Sequence, residues 1–328
     1  MEKRWWKLKL LVTGGLGFIG SHLTQSLLKK DHSVAVLDNY SYGNLDNLQD
    51  SVDNSLLTIV KEDLKEPNKL CRMVKDCELI FHLAANPEVK LGVTNPQVHF
   101  AENILTTFNL LEAIRRSRKP KTVVFTSTST VYGECSQIPT AENYGPLIPI
   151  STYGASKLSC EALISSYAHT FNHRALIVRL ANIIGPRSKH GVVVDFMKKT
   201  LANPNELEIL GDGYQEKSYL HIIDCIDAIM HLCEKFNEDT ERIDIYNVGS
   251  SDTISVREIA RITSTAMNVP NIKYKFTGGV DGGRGWKGDV KKMQLSIEKL
   301  RKTGWTPRYT SRQAVRLTAK ALLGTSIK

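Results

Sequence analysis

Tyr153 and Lys157 stand four residues apart in Tyr153-Gly154-Ala155-Ser156-Lys157. On a helix that spacing puts both side chains on one face. A phenol with a pKa of about 10 is a poor base at pH 7, but a neighbouring cation favours the phenolate and brings that value down. The pair is therefore read as a general base and the ammonium that tunes it. Ser127-Thr128-Ser129-Thr130-Val131-Tyr132-Gly133 precedes it, and Thr128 would orient a substrate hydroxyl. Nearer the start, Thr13-Gly14-Gly15-Leu16-Gly17-Phe18-Ile19-Gly20 fits Gly-x2-Gly-x2-Gly at 14, 17 and 20, and equally Gly-x-Gly-x2-Gly at 15, 17 and 20. Such a turn lets backbone N–H groups and a helix N-terminus approach a pyrophosphate. Asp38 lies 18 residues after Gly20, where a carboxylate accepts both ribose hydroxyls of an adenosine and repels a 2′-phosphate. NAD is thereby favoured over NADP, and its positive nicotinamide ring would join Lys157 in favouring the Tyr153 phenolate and lowering its pKa. Asp63 would accept from the adenine amine, or else is an exposed strand-end carboxylate.

These residues need elements to hold them. Residues 9–13, 33–38, 57–60, 78–82 and 122–126 are apolar, strand-like runs, and 19–30, 68–75 and 98–117 carry helical patterns. Strand and helix in alternation predict βαβ units and a parallel sheet covered on both faces. Tyr153 then opens a long helix over 153–172, followed by a buried strand at 175–180 and another strand of the main sheet at 243–248. Residues 278–288 include six glycines, too many for an element interior, and read as a loop. The fold class expected is α/β: a Rossmann doubly wound parallel sheet with a smaller α/β C-terminal substrate domain. The domains expected are 1–181 with 219–250 for NAD, interleaved with 182–218 and 251–328 for the substrate.

Composition sets the outer limits. The 328 residues are 41% hydrophobic and 23% charged, enough for a sizeable core. No window approaches the roughly 18 uninterrupted apolar residues of a membrane helix. Residues 1–7 have neither a long apolar stretch nor a cleavage site, so no secretory signal is read there. With 43 Lys and Arg against 34 Asp and Glu, the net charge is +9. That keeps phosphorylated ligands or nucleic acid in view, although the basic residues are scattered in the manner of solvated helix faces. The six cysteines show no Cys-x2-Cys spacing, so neither a metal site nor a disulfide framework is expected, and the cytoplasm is the expected compartment.

Residues 13–20, 38–44, 82–85, 128–133, 153–157, 179–187, 211–219 and 283–289 together resemble the extended short-chain dehydrogenase/reductases, the NAD-dependent sugar epimerase/dehydratase group. The likeness covers nearly the whole chain, and its pattern is most similar to that of the UDP-glucose 4-epimerases. It implies that Gly14, Gly17, Phe18, Ile19 and Gly20 cradle the pyrophosphate. Asp38, Asn39, Ser41, Gly43, Asn44, Asp63, Leu64, Leu83, Ala84, Ala85, Asn103 and Ala181 would line the rest of NAD. Tyr153 would be the base, Lys157 would also bind the nicotinamide ribose, and Thr128 would steady the sugar. Asn182, Lys217, Arg284 and Asp289 fall where the family grips a nucleotide diphosphate. Lys217 departs from the usual Arg, giving a point charge in place of a fork. Pro87 stands where some members carry a cofactor-touching Lys, for which Lys90 would compensate on the substrate side. Met293 falls at a position that gates the sugar pocket.

Dehydratases and decarboxylases of this group place an acid just after the catalytic Ser/Thr. Here those positions are Ser129 and Thr130, which leaves 4-epimerisation through a transient 4-keto sugar, most simply UDP-glucose/UDP-galactose interconversion. A UDP-glucuronate or UDP-N-acetylhexosamine 4-epimerase, or a 4-keto-sugar reductase, is the alternative, with Arg187 available to pair with a uronate. A non-enzymatic NAD-sensing or RNA-associated relative is the further alternative, against which the intact Thr128, Tyr153 and Lys157 set argues. The helices at 97–117 and 153–171 have broad apolar faces, and the resemblance implies a homodimer through a four-helix bundle.

Overall fold

The computed structural model describes residues 8–66 and 69–324. The reading of residues 1–7, and of Asn68 as part of a helix, lies outside the described residues. Within them, the alternating apolar runs become β1 (Lys9–Thr13), α1 (Phe18–Leu28), β2 (Ser33–Asp38), β3 (Leu57–Lys61), α2 (Leu70–Asp76) and β4 (Leu79–His82). These are followed by α3 (Leu91–Thr94), α4 (Gln97–His99), α5 (Thr106–Arg116), β5 (Thr122–Thr128), α6 (Thr152–Thr170) and β6 (Arg174–Leu180). With Ile243–Val248 at one edge, the strands form a seven-stranded sheet in the order Ile243–Val248, β6, β5, β4, β1, β2, β3. Every pair from β3 across to β5 runs parallel. The order reverses between β1 and β4, and in such sheets ligands bind beyond the carboxyl ends of the strands at that reversal.

The strands are continuous apolar runs because both faces are covered. Leu10, Leu11, Val12, Ile80, Phe81, Val123, Val124 and Phe125 are all buried. Leu11, Ile80, Val123, Phe125 and Ile177 pack with Leu70 and Val74 of α2, Leu110 and Ile114 of α5, and Ile164 and Ala168 of α6.

One expected helix is interrupted. In place of a single helix over 98–117, α4 runs into a π-helical stretch, Phe100–Leu105, before α5 begins. The Asn103 carbonyl accepts hydrogen bonds from the Thr106 and Thr107 hydroxyls and the Cys160 thiol. Side chains competing for a helical carbonyl loosen the regular ladder, and π-turns of this kind gather at functional sites. An apolar pattern alone cannot register them.

The described residues divide into two units. One comprises residues up to Val131, Thr152–Arg179 and Ala228–Tyr246; the other comprises Tyr132–Ser151, Leu180–Asp227 and the residues from Asn247 on. Breaks expected at 181/182, 218/219 and 250/251 do not coincide with these: 132–151, 180–181, 219–227 and 247–250 go with the second unit. In that unit Asn182–Ile184 pairs with Tyr219–His221, and Glu206–Ile209 with Lys273–Phe276. Its core joins Val193 and Met197, Ile259 and Ile262, and Val315 and Ala319, from the helices Val192–Ala202, Val256–Ala266 and Ser311–Leu323. The glycine-rich 278–288 segment is a loop, with Gly278, Gly279, Gly282, Gly283 and Gly288 all at positive φ. Among the described residues no helix is long and apolar enough to cross a membrane.

Candidate active site

The glycine turn between β1 and α1 is tight enough to exclude side chains. Gly14 has φ +70°, and a Cβ there would come within 2.8 Å of the Ala84 nitrogen; one on Gly20 would come within 2.1 Å of the Gly14 carbonyl oxygen. Gly17 caps α1 without a side-chain hydrogen bond, so the amides of Phe18 and Ile19 open the helix as an anion-favouring terminus. Leu83 and Ala84 follow β4 directly, their N–H groups donating to the Thr13 carbonyl and hydroxyl. Ala85 follows them.

Asp38 ends β2. It accepts hydrogen bonds from the amides of Leu16 (3.0 Å) and Tyr40 (2.8 Å). Burial pushes its carboxyl above the usual range, and those two bonds work against that. A side chain at Gly43 would meet this carboxylate at 2.8 Å, so glycine there keeps it open. Asn39 donates to Asp63 (3.1 Å) while accepting from the Ser41 amide (3.0 Å). Asp63 is pushed up by burial, but hydrogen bonds from Lys65 and Asn39 and the Lys65 ammonium outweigh that and hold it low. Asn44 caps the short turn Leu45–Ser51, and the Leu64 carbonyl accepts from Asn109. Lys90 stands at the start of α3.

At the carboxyl end of β5, Thr128 hydrogen-bonds Tyr153, the second residue of α6. The Thr128 hydroxyl also accepts from Thr130 N–H and Oγ1, both at 3.2 Å. Lys157, one turn along α6 and buried, lays its ammonium 4.1 Å from the centre of the Phe125 ring, on which His82 also stacks at 5.6 Å. Burial brings Lys157 down to about 8, opposed by Cys160 and Glu161. The expectation that two cations, Lys157 and the nicotinamide ring, make the phenol acidic meets an opposing effect from the fold. In the chain itself burial pushes Tyr153 up to about 12, and the hydrogen bond with Thr128 is what pulls the other way.

Around the predicted Asn103, several supporting residues, Asn86, Ser156, Glu161 and Arg179, have no signature of their own in the sequence. Asn103 donates to Ser156 (2.8 Å) and accepts from Asn86 N–H (2.7 Å), and Ser156 donates to the Tyr153 carbonyl (2.7 Å). Glu161, four residues after Lys157, forms a buried bidentate pair with Arg179 (3.0 and 2.7 Å) and accepts from Ser127, next to Thr128. A buried carboxylate one helical turn beyond Lys157 was a readable signal only at the level of spacing.

In the second unit, Lys217 pairs with Asp289 (2.5 Å), which also accepts from Gly285 N–H (3.1 Å). Arg284 pairs with Glu134 (2.5 Å) and donates to the Asp289 carbonyl (3.0 Å). Met293 lies beside Lys217 in a parallel strand pair, and Asn182 donates to the Ser218 carbonyl at 3.0 Å. These predicted residues are thus brought together. Arg187 follows Gly185-Pro186 with φ +70°, a strained setting for a long side chain. Ala181 donates its N–H to the Val248 carbonyl (2.9 Å).

A sequence profile of the GDP-mannose 4,6 dehydratase family matches residues 11–318. A solved UDP-galactose 4-epimerase is 39% identical, with 97% of this chain and 100% of that one covered and a TM-score of 0.83. A UDP-glucuronic acid 4-epimerase from Bacillus cereus, solved with UDP-glucuronic acid and NAD, is 28% identical over 97% of this chain and 99% of its own, with a TM-score of 0.85. UDP-glucuronic acid decarboxylase 4 of Arabidopsis thaliana is 29% identical over 95% of this chain and 68% of its own length.

Proposed function

The chain belongs to the extended short-chain dehydrogenase/reductases, the NAD-dependent sugar epimerase/dehydratase family, and from that premise we propose that it is a UDP-hexose 4-epimerase interconverting UDP-glucose and UDP-galactose. The observation that carries the reading is Thr128 hydrogen-bonded to Tyr153, with Lys157 one turn on, in a chain with Ser129 and Thr130 where dehydratases and decarboxylases place an acid. The residues around the glycine turn fit NAD. Gly14 and Gly20 leave backbone room that any Cβ would fill, and Asp38 presents a carboxylate at the end of β2. Bound NAD would supply a hydride acceptor that gives the hydride back.

In this reading Gly14, Gly17, Phe18, Ile19 and Gly20 hold the pyrophosphate, and Asp38 accepts from the ribose. Asn39, Ser41, Gly43, Asn44, Asp63, Leu64, Leu83, Ala84, Ala85, Asn103 and Ala181 line the remainder. Thr128 orients the C4 hydroxyl, and Tyr153 takes its proton as that carbon is oxidised. The 4-keto sugar turns about its link to the diphosphate, and Tyr153 returns the proton on reduction of the other face. Lys157, at about 8, remains an ammonium at pH 7. Because burial holds the phenol at about 12, proton transfer to Tyr153 requires positive charge beyond that of Lys157, and the oxidised cofactor is the proposed source. Asn182, Lys217 and Arg284 are proposed for the diphosphate, Asp289 for orienting Lys217, and Lys90 and Met293 for the sugar.

A uronate-accepting 4-epimerase is the second reading, favoured by Arg187, whose guanidinium suits a carboxylate bidentately, and by the likeness to the Bacillus cereus enzyme. Incubating the NAD-loaded protein separately with UDP-glucose, UDP-glucuronate and UDP-N-acetylglucosamine, and resolving the products, decides between them. The expected product is UDP-galactose from UDP-glucose. Conversion of UDP-glucuronate alone selects the second reading, and decarboxylated product or no conversion of any of the three overturns both. Tyr153→Phe is expected to lower turnover about 10²–10⁴-fold with NAD content unchanged.

We also infer self-association through α5 and α6, supported by the exposed Phe108 on α5, Phe100 in the π-helical stretch before it and Phe171 just beyond α6 (41, 58 and 39% exposed). The six unpaired cysteines are in keeping with a reducing compartment, and the cytoplasm is proposed.

A further inference from the structure

His99 is a buried histidine that the proposed reaction does not use, yet it touches both of the residues that begin α6. Its Nδ1 lies 2.9 Å from Thr152 Oγ1, its Nε2 lies 3.1 Å from the Glu88 carbonyl oxygen, and its ring meets that of Tyr153 at 5.7 Å between centres, inclined by 64°. A backbone carbonyl only accepts, so Nε2 carries the hydrogen; in the neutral ring Nδ1 then accepts from the Thr152 hydroxyl. Burial disfavours the charged ring, against which the carboxylates of Glu88 and Glu102 and the Glu88 carbonyl act. Space around the ring is fully used. A Cβ at Gly92 would come 2.1 Å from Thr152 Oγ1 and 2.9 Å from His99 Cε1.

The location matters because Tyr153 lies in the first turn of a helix, where backbone N–H groups lack intrahelical partners and ends fray. Ser156 and Asn103 brace the backbone side of this turn. The aromatic side has His99. A ring held at both nitrogens cannot swing, so an aromatic side chain packed edgewise against it keeps one orientation.

We propose that His99 is a positioning residue that, with its neutral ring tied to Glu88 and Thr152, holds the Tyr153 ring in the orientation that presents its hydroxyl to Thr128. The role rests on Tyr153 being the acid/base of the proposed reaction, but the contact can be read without any sugar. In NAD-loaded protein labelled with 13C at tyrosine Cζ, the Tyr153 signal is identified by its loss in Tyr153→Phe and followed through its titration. His99→Leu is expected to raise that midpoint by about one unit, since the Thr128 hydrogen bond that favours the phenolate is weakened. On whichever of UDP-glucose, UDP-glucuronate or UDP-N-acetylglucosamine the protein converts, His99→Leu should lower kcat about tenfold with KM and NAD content unchanged. His99→Asn, whose side-chain oxygen can take the place of Nδ1 toward Thr152, should recover most of both effects. Should His99→Leu fail to fold, Thr152→Val removes the same tether from the surface side and is expected to shift the midpoint in the same direction. An unmoved midpoint in the folded variants, or His99→Asn behaving no better than His99→Leu, overturns the proposal. If Tyr153→Phe leaves turnover intact, the catalytic reading fails instead, while the midpoint shift still reports the contact.

Discussion

His82 shows what a single buried side chain contributes at this site. Its Nδ1 and Nε2 engage the hydroxyls of Thr13 (2.8 Å) and Thr107 (2.9 Å), and its ring stacks on Phe125, the residue that also receives the Lys157 ammonium. Burial, and then the nearby Lys157 charge, bring it down from 6.5 to about 3. Below pH 6.5 the unfolded chain therefore takes up a proton that the native protein refuses until about pH 3. The stability that a neutral His82 provides is complete above 6.5 and is lost as the pH falls through that window, by at most about 1.4 kcal/mol per pH unit. Urea midpoints measured at pH 7, 6 and 5 should fall in the wild type and fall less steeply in His82→Gln. Equal slopes in the two proteins would show that His82 titrates normally. Lys157 works in a different window. The native ammonium gives up its proton near 8 while the unfolded one keeps it to about 10.5, so its contribution to stability rises with pH between those values.

At the scale of elements, α6, which carries the proposed acid/base Tyr153, is held by three other elements. The π-helical stretch before α5 supplies Asn103, β5 supplies Thr128 and Phe125, and β6 supplies Arg179. The Glu161–Arg179 pair is buried on both sides, with the Ser127 hydroxyl on the same carboxylate. Removing one member strands the other charge in a dry interior, which costs about 3–5 kcal/mol, whereas replacing both by apolar groups is close to neutral. Arg179→Met should accordingly lower the unfolding free energy by about that much, and Glu161→Leu with Arg179→Met should restore most of it. A single variant within about 1 kcal/mol of wild type, measured by urea unfolding, would exclude an energetic role for the pair. The helical pattern over 98–117 announced a helix but could not announce its π-turn, since that depends on the Thr106, Thr107 and Cys160 side chains meeting one carbonyl.

For the whole molecule, the exposed Phe100, Phe108 and Phe171 predict a second copy as the covering partner. Phe108 and Tyr167 already meet edge to face across α5 and α6. Sedimentation equilibrium at micromolar concentration should give a mass near twice that of the 36.7 kDa chain, and Phe108→Glu should return it to one. A wild-type protein that remains monomeric would remove the basis for the interface. The sequence by itself determined the alternating order of strand and helix, the glycine turn and the ordered set Thr128, Tyr153 and Lys157. Each of these follows from local rules: apolar runs covered on both faces, glycine where no Cβ fits, and four-residue spacing on a helix. Only the tertiary structure decided what surrounds those groups. It sank Tyr153 far enough that burial pushes its proton affinity up, seated Lys157 on Phe125 and tied Lys217 to Asp289 across 72 positions of chain. Burial and long-range pairing depend on which distant segments fold together, and a proton's affinity is set by that whole environment, not by the residue four places away.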